Sequence, residues 1–337
     1  MTAEISSSQP NPSRLFAALS GYQLTLAIKS GVELDVFTHI ADGANTVREI
    51  ARRTDASEKG IRILCDFLTI HGVLTKEGAT YGLASDAQVF LSKRSPAYLG
   101  SIALFLAHPA QIKNYLDLTT SVRKGGTAHD GNLEPENPLW VDFARYMAPL
   151  AAVGAMALAR VVATPGAPQK VLDIAAGSGG YGIAIAKLNP AAEIYAQDWK
   201  NVLEVSLEGA RAAGVADRYH TIPGSAFDVD LGTGYDLVLL PNFLHHFDHP
   251  TNVALLKRVR AAIKPGGRVA TVEFVPNEDR VTPPLQASFS MMMLGSTAGG
   301  DAYTFNELAA MFRDAGFSRS AQQELLPSPQ ILVLTEY

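Results

Sequence analysis

Three histidines, His245, His246 and His249, fall within five residues of the segment LLPNFLHHFDHPTN, directly after an apolar run at 236–240. Imidazole, with an unperturbed pKa of about 6.5, can take a proton from a hydroxyl near neutral pH. A second concentration of chemistry lies upstream, in KVLDIAAGSGGYGIAIAKLNPAAEIYAQD, residues 170–198. There Asp173 leads into a turn of small residues containing Gly177 and Gly179, and Asp198 closes the next apolar run. Small residues let a ligand approach the backbone at a helix N-terminus, and a carboxylate ending the second strand suits a ribose diol. The turn departs from the dinucleotide fingerprint, and Asp173 would repel a pyrophosphate while suiting an ammonium group. S-adenosylmethionine (SAM) has an ammonium at its methionine end, so the turn favours SAM over NAD.

His245, His246, Asp248 and His249 also invite a metal-site reading, since histidines three residues apart share a helix face. Pro250 breaks the local helix and no second acidic cluster completes a coordination sphere, so no metal is expected. The plainer reading of His246 and His249 is as loop or helix-cap residues.

These side chains need a frame. Apolar runs at 171–174, 193–197, 219–222, 236–240, 268–274 and 331–335 alternate with helical segments, which predicts a parallel α/β sheet over 166–337. Open parallel sheets hold ligands across the carboxyl ends of their strands. Trp199, Gly224-Ser225-Ala226-Phe227 and Asn242 occupy such ends. Trp199 offers a face to adenine, the Ser225 hydroxyl one hydrogen bond, and Phe227 apolar contact, although Phe227 reads equally well as core.

Upstream, residues 106–165 form a helical region that includes a loose Gly-, Asn- and Pro-containing stretch at 123–138. Residues 13–105 contain a helix from Thr46, a second from Ser57 to Leu68 and a short hairpin around Leu74 and Tyr81, the pattern of a winged helix-turn-helix. DNA binding is not expected from it. The second helix carries Ile61, Ile63, Leu64, Phe67 and Leu68 for packing, residues 1–100 hold ten cations against ten anions, and the whole chain is at −5. The helical stretch 13–30 presents Leu15, Phe16, Leu19, Tyr22, Leu24, Leu26 and Ile28 around much of its circumference, more than a solvated helix carries, so it is expected to pack on another chain. Residues 1–12, Ser- and Pro-rich, are expected to be disordered.

The 337 residues, 47% apolar and 18% charged, are ordinary globular material. The single cysteine, Cys65, lies in an apolar run and reads as core. The N-terminus has no signal-peptide pattern and no uninterrupted apolar run reaches the ~18 residues of a membrane span. A cytoplasmic protein with neither membrane nor nucleic-acid partner is expected.

DIAAGSGGYG resembles the first SAM-binding motif of class I methyltransferases. The later motifs, Gly224-Ser225-Ala226-Phe227, Leu244-His245-His246-Phe247, Lys264-Pro265-Gly266-Gly267 and GGDAYTFNELAAMFRDAGF, follow in an order similar to the small-molecule O-methyltransferases typified by plant caffeic acid O-methyltransferase and its bacterial relatives. The resemblance spans nearly the whole chain. It implies a class I, Rossmann-like sheet, mostly parallel with an antiparallel last strand, behind an N-terminal winged-helix domain that interlocks two subunits in a homodimer. It implies SAM as cofactor, contacted by Asp173, Gly177, Gly179, Asp198, Trp199, Gly224, Ser225, Ala226, Phe227 and Asn242.

By the same resemblance His245 is the general base, and Glu273, twenty-eight residues later, orients it. Three of the motifs depart from the plant pattern. Ser225 replaces an Asp on the adenine edge, Pro241-Asn242 replaces a Lys-aromatic pair, and Ala302, beside Asp301, replaces a second carboxylate of the histidine apparatus. Tyr146, Met147, His246, Phe289 and Met293 are expected to line the acceptor pocket, where methionines adapt to flat rings. The expected reaction is methyl transfer to a hydroxyl of a small aromatic or polyketide-like metabolite. A carbon- or nitrogen-methylating or non-methylating relative, and a SAM-sensing winged-helix regulator, are the alternatives.

Overall fold

The computed structural model describes residues 11–129, 134 and 136–337. The disorder expected over 1–12 therefore falls, apart from Asn11 and Pro12, outside the described residues. The chain forms two compact units, Met1–His108 and Pro109–Tyr337.

The first unit runs α1 (Ser13–Leu19), α2 (Gly21–Glu33), α3 (Val36–Ala41), α4 (Val47–Thr54), α5 (Glu58–Ile70), β1 (Leu74–Glu77), β2 (Thr80–Leu83), α6 (Ser85–Phe90) and α7 (Ser101–Leu106). Thr46 starts α4 through a capping box with Glu49, and Ser57 starts α5 by accepting from the Gly60 N–H. β1 and β2 form the antiparallel hairpin. Val36, Phe37, Ile50, Ile61, Cys65, Leu68, Leu74 and Tyr81 make the core. Burial pushes the Cys65 thiol up to about 11, which suits a packing residue and not a nucleophile. α1 buries nothing, and Leu15, Phe16, Leu19 and Tyr22 are exposed.

The second unit runs α8 (Pro109–Leu116), α9 (Leu118–Lys124), α10 (Pro138–Val162), β3 (Gln169–Ile174), α11 (Gly180–Leu188), β4 (Ala192–Asp198), α12 (Lys200–Ala212), β5 (Tyr219–Pro223), β6 (Tyr235–Pro241), α13 (His249–Ala262), β7 (Ile263–Glu273), α14 (Pro284–Ser296), α15 (Phe305–Asp314), β8 (Arg319–Glu324) and β9 (Ile331–Glu336). The sheet order is β5-β4-β3-β6-β7-β9-β8. β3 to β7 are parallel, and β9 lies antiparallel between β7 and β8. The order reverses between β3 and β6, where the strands' carboxyl ends open a crevice.

Period-two alternation explains how two helical layers grip one sheet. Val171, Leu237, Ala270 and Leu332 face a core built with α10, α11 and α12. Leu172, Val238, Val269 and Val333, each adjacent in sequence to one of those, face a core built with α13 and α15. α10 is long and apolar enough, by length and composition, to cross a membrane. It carries Asp142, Arg145 and Arg160, and its Ala155, Leu158, Ala159 and Val162 are buried in the first of these cores.

Two strand assignments differ from the sequence reading. β8, Arg-Ser-Ala-Gln-Gln-Glu, is an exposed edge strand with no apolar alternation to reveal it. β7 begins at Ile263 rather than 268, carrying Lys264-Pro265-Gly266-Gly267 into the strand through a register irregularity opposite Tyr235 and Leu237, with Gly266 at φ 79°.

Candidate active site

The glycine turn is built by left-handed backbone: Ala175, Gly177 and Gly179 have φ of 53°, 57° and 76°. A Cβ on Gly177 would meet nothing closer than Ala175 O at 4.0 Å, so this backbone fronts open space. Asp198 reaches back to it, accepting from Gly177 N–H at 2.8 Å and from its own neighbour Trp199 N–H at 2.7 Å. Burial nonetheless raises the Asp198 carboxyl to about 6, against those two bonds.

Asp173 is fully buried. Its Oδ2 accepts from Gly182 N–H at 3.0 Å, while Oδ1 has no partner. Burial raises this carboxyl to about 7, with the Gly182 bond opposing and the Asp198 charge adding. Gly182 itself is required for the approach of α11, because a Cβ there would stand 2.6 Å from Ile194 and 3.0 Å from Asp173 Oδ2.

The ends of β3, β4 and β5 are bracketed by Gln197, a residue the sequence reading passed over. Its Oε1 accepts from Ala175 N–H at 3.3 Å and its Nε2 donates to Gly224 O at 2.5 Å. Gly224 N–H donates to Asp198 O at 2.9 Å. Ser225 Oγ accepts from Phe227 N–H at 3.2 Å, and Ala226 is buried in the second core. Trp199 caps α12 and packs with Trp140, Val141, Ala144, Val202 and Val205.

His245 and His246 follow β6 on a single 3₁₀ turn, Leu244–His246, and His249 opens α13. His245 is buried, and its Nδ1 lies 2.6 Å from Glu273 Oε2. Glu273, at the end of β7 and 3% exposed, accepts at Oε1 from three successive N–H groups, Phe243 at 3.1 Å, Leu244 at 2.9 Å and His245 at 3.4 Å. With three backbone N–H donors converging on Oε1, Glu273 is placed as an acceptor, and its contact with the ring fits the tautomer that carries a proton on Nδ1 and leaves the lone pair on Nε2.

Around this pair lies an aromatic enclosure. Phe289 meets the His245 ring edge-on at 4.8 Å and stacks on Phe274 at 4.6 Å. His246 sits 4.4 Å from the His245 ring, with Trp140, Phe243 and Phe247 edge-on to it. Burial, with the adjacent His245 ring working in the same direction, holds His246 well below the ordinary histidine range, which favours its neutral form. Phe247 also contacts Phe227 at 5.0 Å, which joins the loop after β5 to the histidine turn. Met293 is buried one turn beyond Phe289 on α14. Tyr146 and Met147 lie on α10, about two turns after Trp140. Asn242, at φ 55°, donates its N–H to Val272 O at 2.8 Å and turns its side-chain oxygen to Gln330.

His249 pairs with Asp314 at the surface, 2.9 Å, and Asp248 caps α13 by accepting from Thr251 N–H. Among the described residues no group of three or more His, Cys, Asp or Glu is placed to hold a metal. Ala302 is buried, and Asp301 turns to Arg280 at 3.2 Å. Gly300 packs against the histidine turn: a Cβ on it would lie 2.0 Å from His245 O.

Known proteins share this fold and domain order. Residues 143–318 match the family model of the O-methyltransferase domain, and residues 16–93 match that of the O-methyltransferase dimerisation domain. The chain belongs to the O-methyltransferase family. It is a SAM-dependent enzyme. A solved structure from Nostoc punctiforme, provisionally assigned as an O-methyltransferase, is 47% identical with a TM-score of 0.94, over 98% of this chain and 100% of that one. The 3-hydroxy-5-methyl-1-naphthoate 3-O-methyltransferase of Streptomyces sahachiroi is 27% identical over 91% of this chain and 90% of its own. The S-adenosyl-L-methionine-dependent methyltransferase PigF of a Serratia species is 25% identical over 94% of each. In this O-methyltransferase the dimerisation domain is thus the winged-helix unit, and the exposed apolar side of α1 belongs to it.

Proposed function

We propose that this O-methyltransferase methylates a phenolic hydroxyl of a small aromatic or polyketide-like metabolite, with Nε2 of His245 taking the hydroxyl proton. The observation that carries the reading is the buried His245–Glu273 pair: Glu273 fixes the ring's tautomer and stabilises the imidazolium formed when the proton arrives. The oxygen–methyl bond forms as the methyl–sulfur bond breaks, the proton goes to Nε2, and the leaving product is S-adenosylhomocysteine.

The residues of the glycine turn fit SAM. Asp173 Oδ1, buried without a partner, suits the ammonium, and Asp198 suits the ribose diol. Gly177 leaves the backbone open to the ligand, Gly179 lets the turn pack closely on Tyr219 and Ser206 at the start of α11, Asn242 lies near the end of β6, and Trp199, Gly224, Ser225, Ala226 and Phe227 supply the adenine side. When bound, the sulfonium supplies an electrophilic methyl group, so the protein needs no nucleophile of its own. Its task is to align the acceptor oxygen and remove the proton.

One carboxylate rather than two supports the ring, since Ala302 occupies the second position. That favours an acidic, phenolic hydroxyl over an alcohol. Phe289, Met293 and the neutral His246, with Tyr146 and Met147, give the acceptor flat apolar surfaces, and the naphthoate relative is named for such an acceptor. Methyl-labelled SAM offered with a panel of hydroxynaphthoates, aromatic amines and alcohols tests this. Label recovered on phenolic oxygen is expected, and label on nitrogen or carbon alone would contradict it. The dimerisation domain and the exposed Leu15, Phe16, Leu19 and Tyr22 support a homodimer, which a monomeric sedimentation profile would rule out.

A further inference from the structure

The turn that carries His245 is weakly held by its own bonds. His246 N–H to Phe243 O is 3.2 Å and Phe247 N–H to Leu244 O is 3.3 Å, both at or beyond the long end of the ordinary range. Its placement depends on anchors from outside. Glu273 takes the N–H groups of Phe243, Leu244 and His245. The carbonyl side is taken by Asn252, on the first turn of α13 and completely buried. Its Nδ2 donates to Leu244 O at 2.8 Å and to Phe247 O at 3.1 Å.

A buried asparagine facing a hydrophobic layer needs a reason, and here the cost is visible: Oδ1 of Asn252 is buried with no partner. Both of its N–H donors go to the two carbonyls that flank His245 and His246. Tyr303 OH adds a bond to Phe247 O at 2.5 Å, and Gly300 presses on His245 O.

We infer that Asn252 is a positioning residue for the reaction, acting through His245 by clamping the carbonyl face of its turn while Glu273 clamps the N–H face. This rests on the general-base reading above. Without the amide, Leu244 O and Phe247 O lose their buried donor, the turn shifts to find others, and the His245 ring leaves its alignment with Glu273 and the acceptor oxygen.

The test follows the Nδ1–H proton of His245 by NMR in the protein with S-adenosylhomocysteine bound. A 2.6 Å bond to a carboxylate draws this resonance far downfield, and its disappearance in His245→Gln assigns it. In Asn252→Ala the resonance is expected to move upfield or broaden, S-adenosylhomocysteine affinity to stay within about twofold, and kcat/KM for a hydroxynaphthoate to fall about 30-fold. Should that variant fail to fold, Asn252→Ser, which keeps one donor, is expected to give a smaller change in the same direction. In the His245→Gln background the Asn252 substitution is expected to cost less than about twofold, because its effect runs through the missing ring. An unmoved resonance in a folded Asn252 variant overturns the positioning role. Undiminished turnover in His245→Gln overturns the general-base reading instead.

Discussion

The two carboxylate sites at the carboxyl ends of the strands are built on opposite plans. On the β3–β4 side Asp173 has one donor and an unpartnered oxygen, Asp198 has two donors, and burial raises both carboxyls. On the β6–β7 side Glu273 receives three backbone N–H groups and the His245 ring. A carboxylate satisfied from within orients another side chain. One buried with spare acceptor capacity suits a cationic or polyhydroxyl ligand.

Glu273→Gln breaks the satisfied side and carries the largest expected effect in this comparison. An amide can bond the ring only through one oxygen and offers two donors that clash with the N–H groups around it. We expect kcat/KM to fall about 100- to 1,000-fold, with SAM affinity by calorimetry nearly unchanged. A loss of less than about fivefold would mean that Glu273 does not orient the ring.

Asp173→Asn sharpens the unsatisfied side, with a smaller loss of function and a gain in stability. SAM affinity should fall about 10- to 100-fold, while the cofactor-free protein should become more stable at pH 8 by up to about 3 kcal/mol. The sign follows from linkage. A carboxyl whose folded pKa is raised holds its proton longer in the native state, so its contribution is fully present below the unfolded value of 3.8 and is lost as pH rises through about 7 for Asp173 and about 6 for Asp198. The melting temperature of the cofactor-free protein should therefore carry a declining component between those values, partly removed in Asp173→Asn. A variant no more stable than wild type at pH 8 would show that Asp173 is not a buried charge.

Much of this was legible in residue order. The central strands are continuous apolar runs because both faces are buried, and the glycine turn with Asp198 announces a ligand crevice. His245 and Glu273 are singled out by the family resemblance, and the fold sets His245 on the turn after β6 and Glu273 at the end of β7, both at the carboxyl ends of neighbouring strands. What stayed hidden were residues whose role depends on a tertiary partner. Asn252 reads as an ordinary polar residue of a helix, and only the fold sets two carbonyls of the histidine turn against it. Gln197 hides inside a strand, and its bracket between Ala175 and Gly224 joins residues of three strand ends. β8 escaped because an exposed edge strand needs no apolar face.

The central claim is that His245 removes the acceptor's proton and does not hold the cofactor. Single-turnover methyl transfer by His245→Ala, with SAM binding measured on the same sample, addresses it most directly. The expected result is SAM affinity within about twofold of wild type and a transfer rate reduced at least 100-fold. Transfer at the wild-type rate, or a rate loss fully matched by lost SAM affinity, would contradict it.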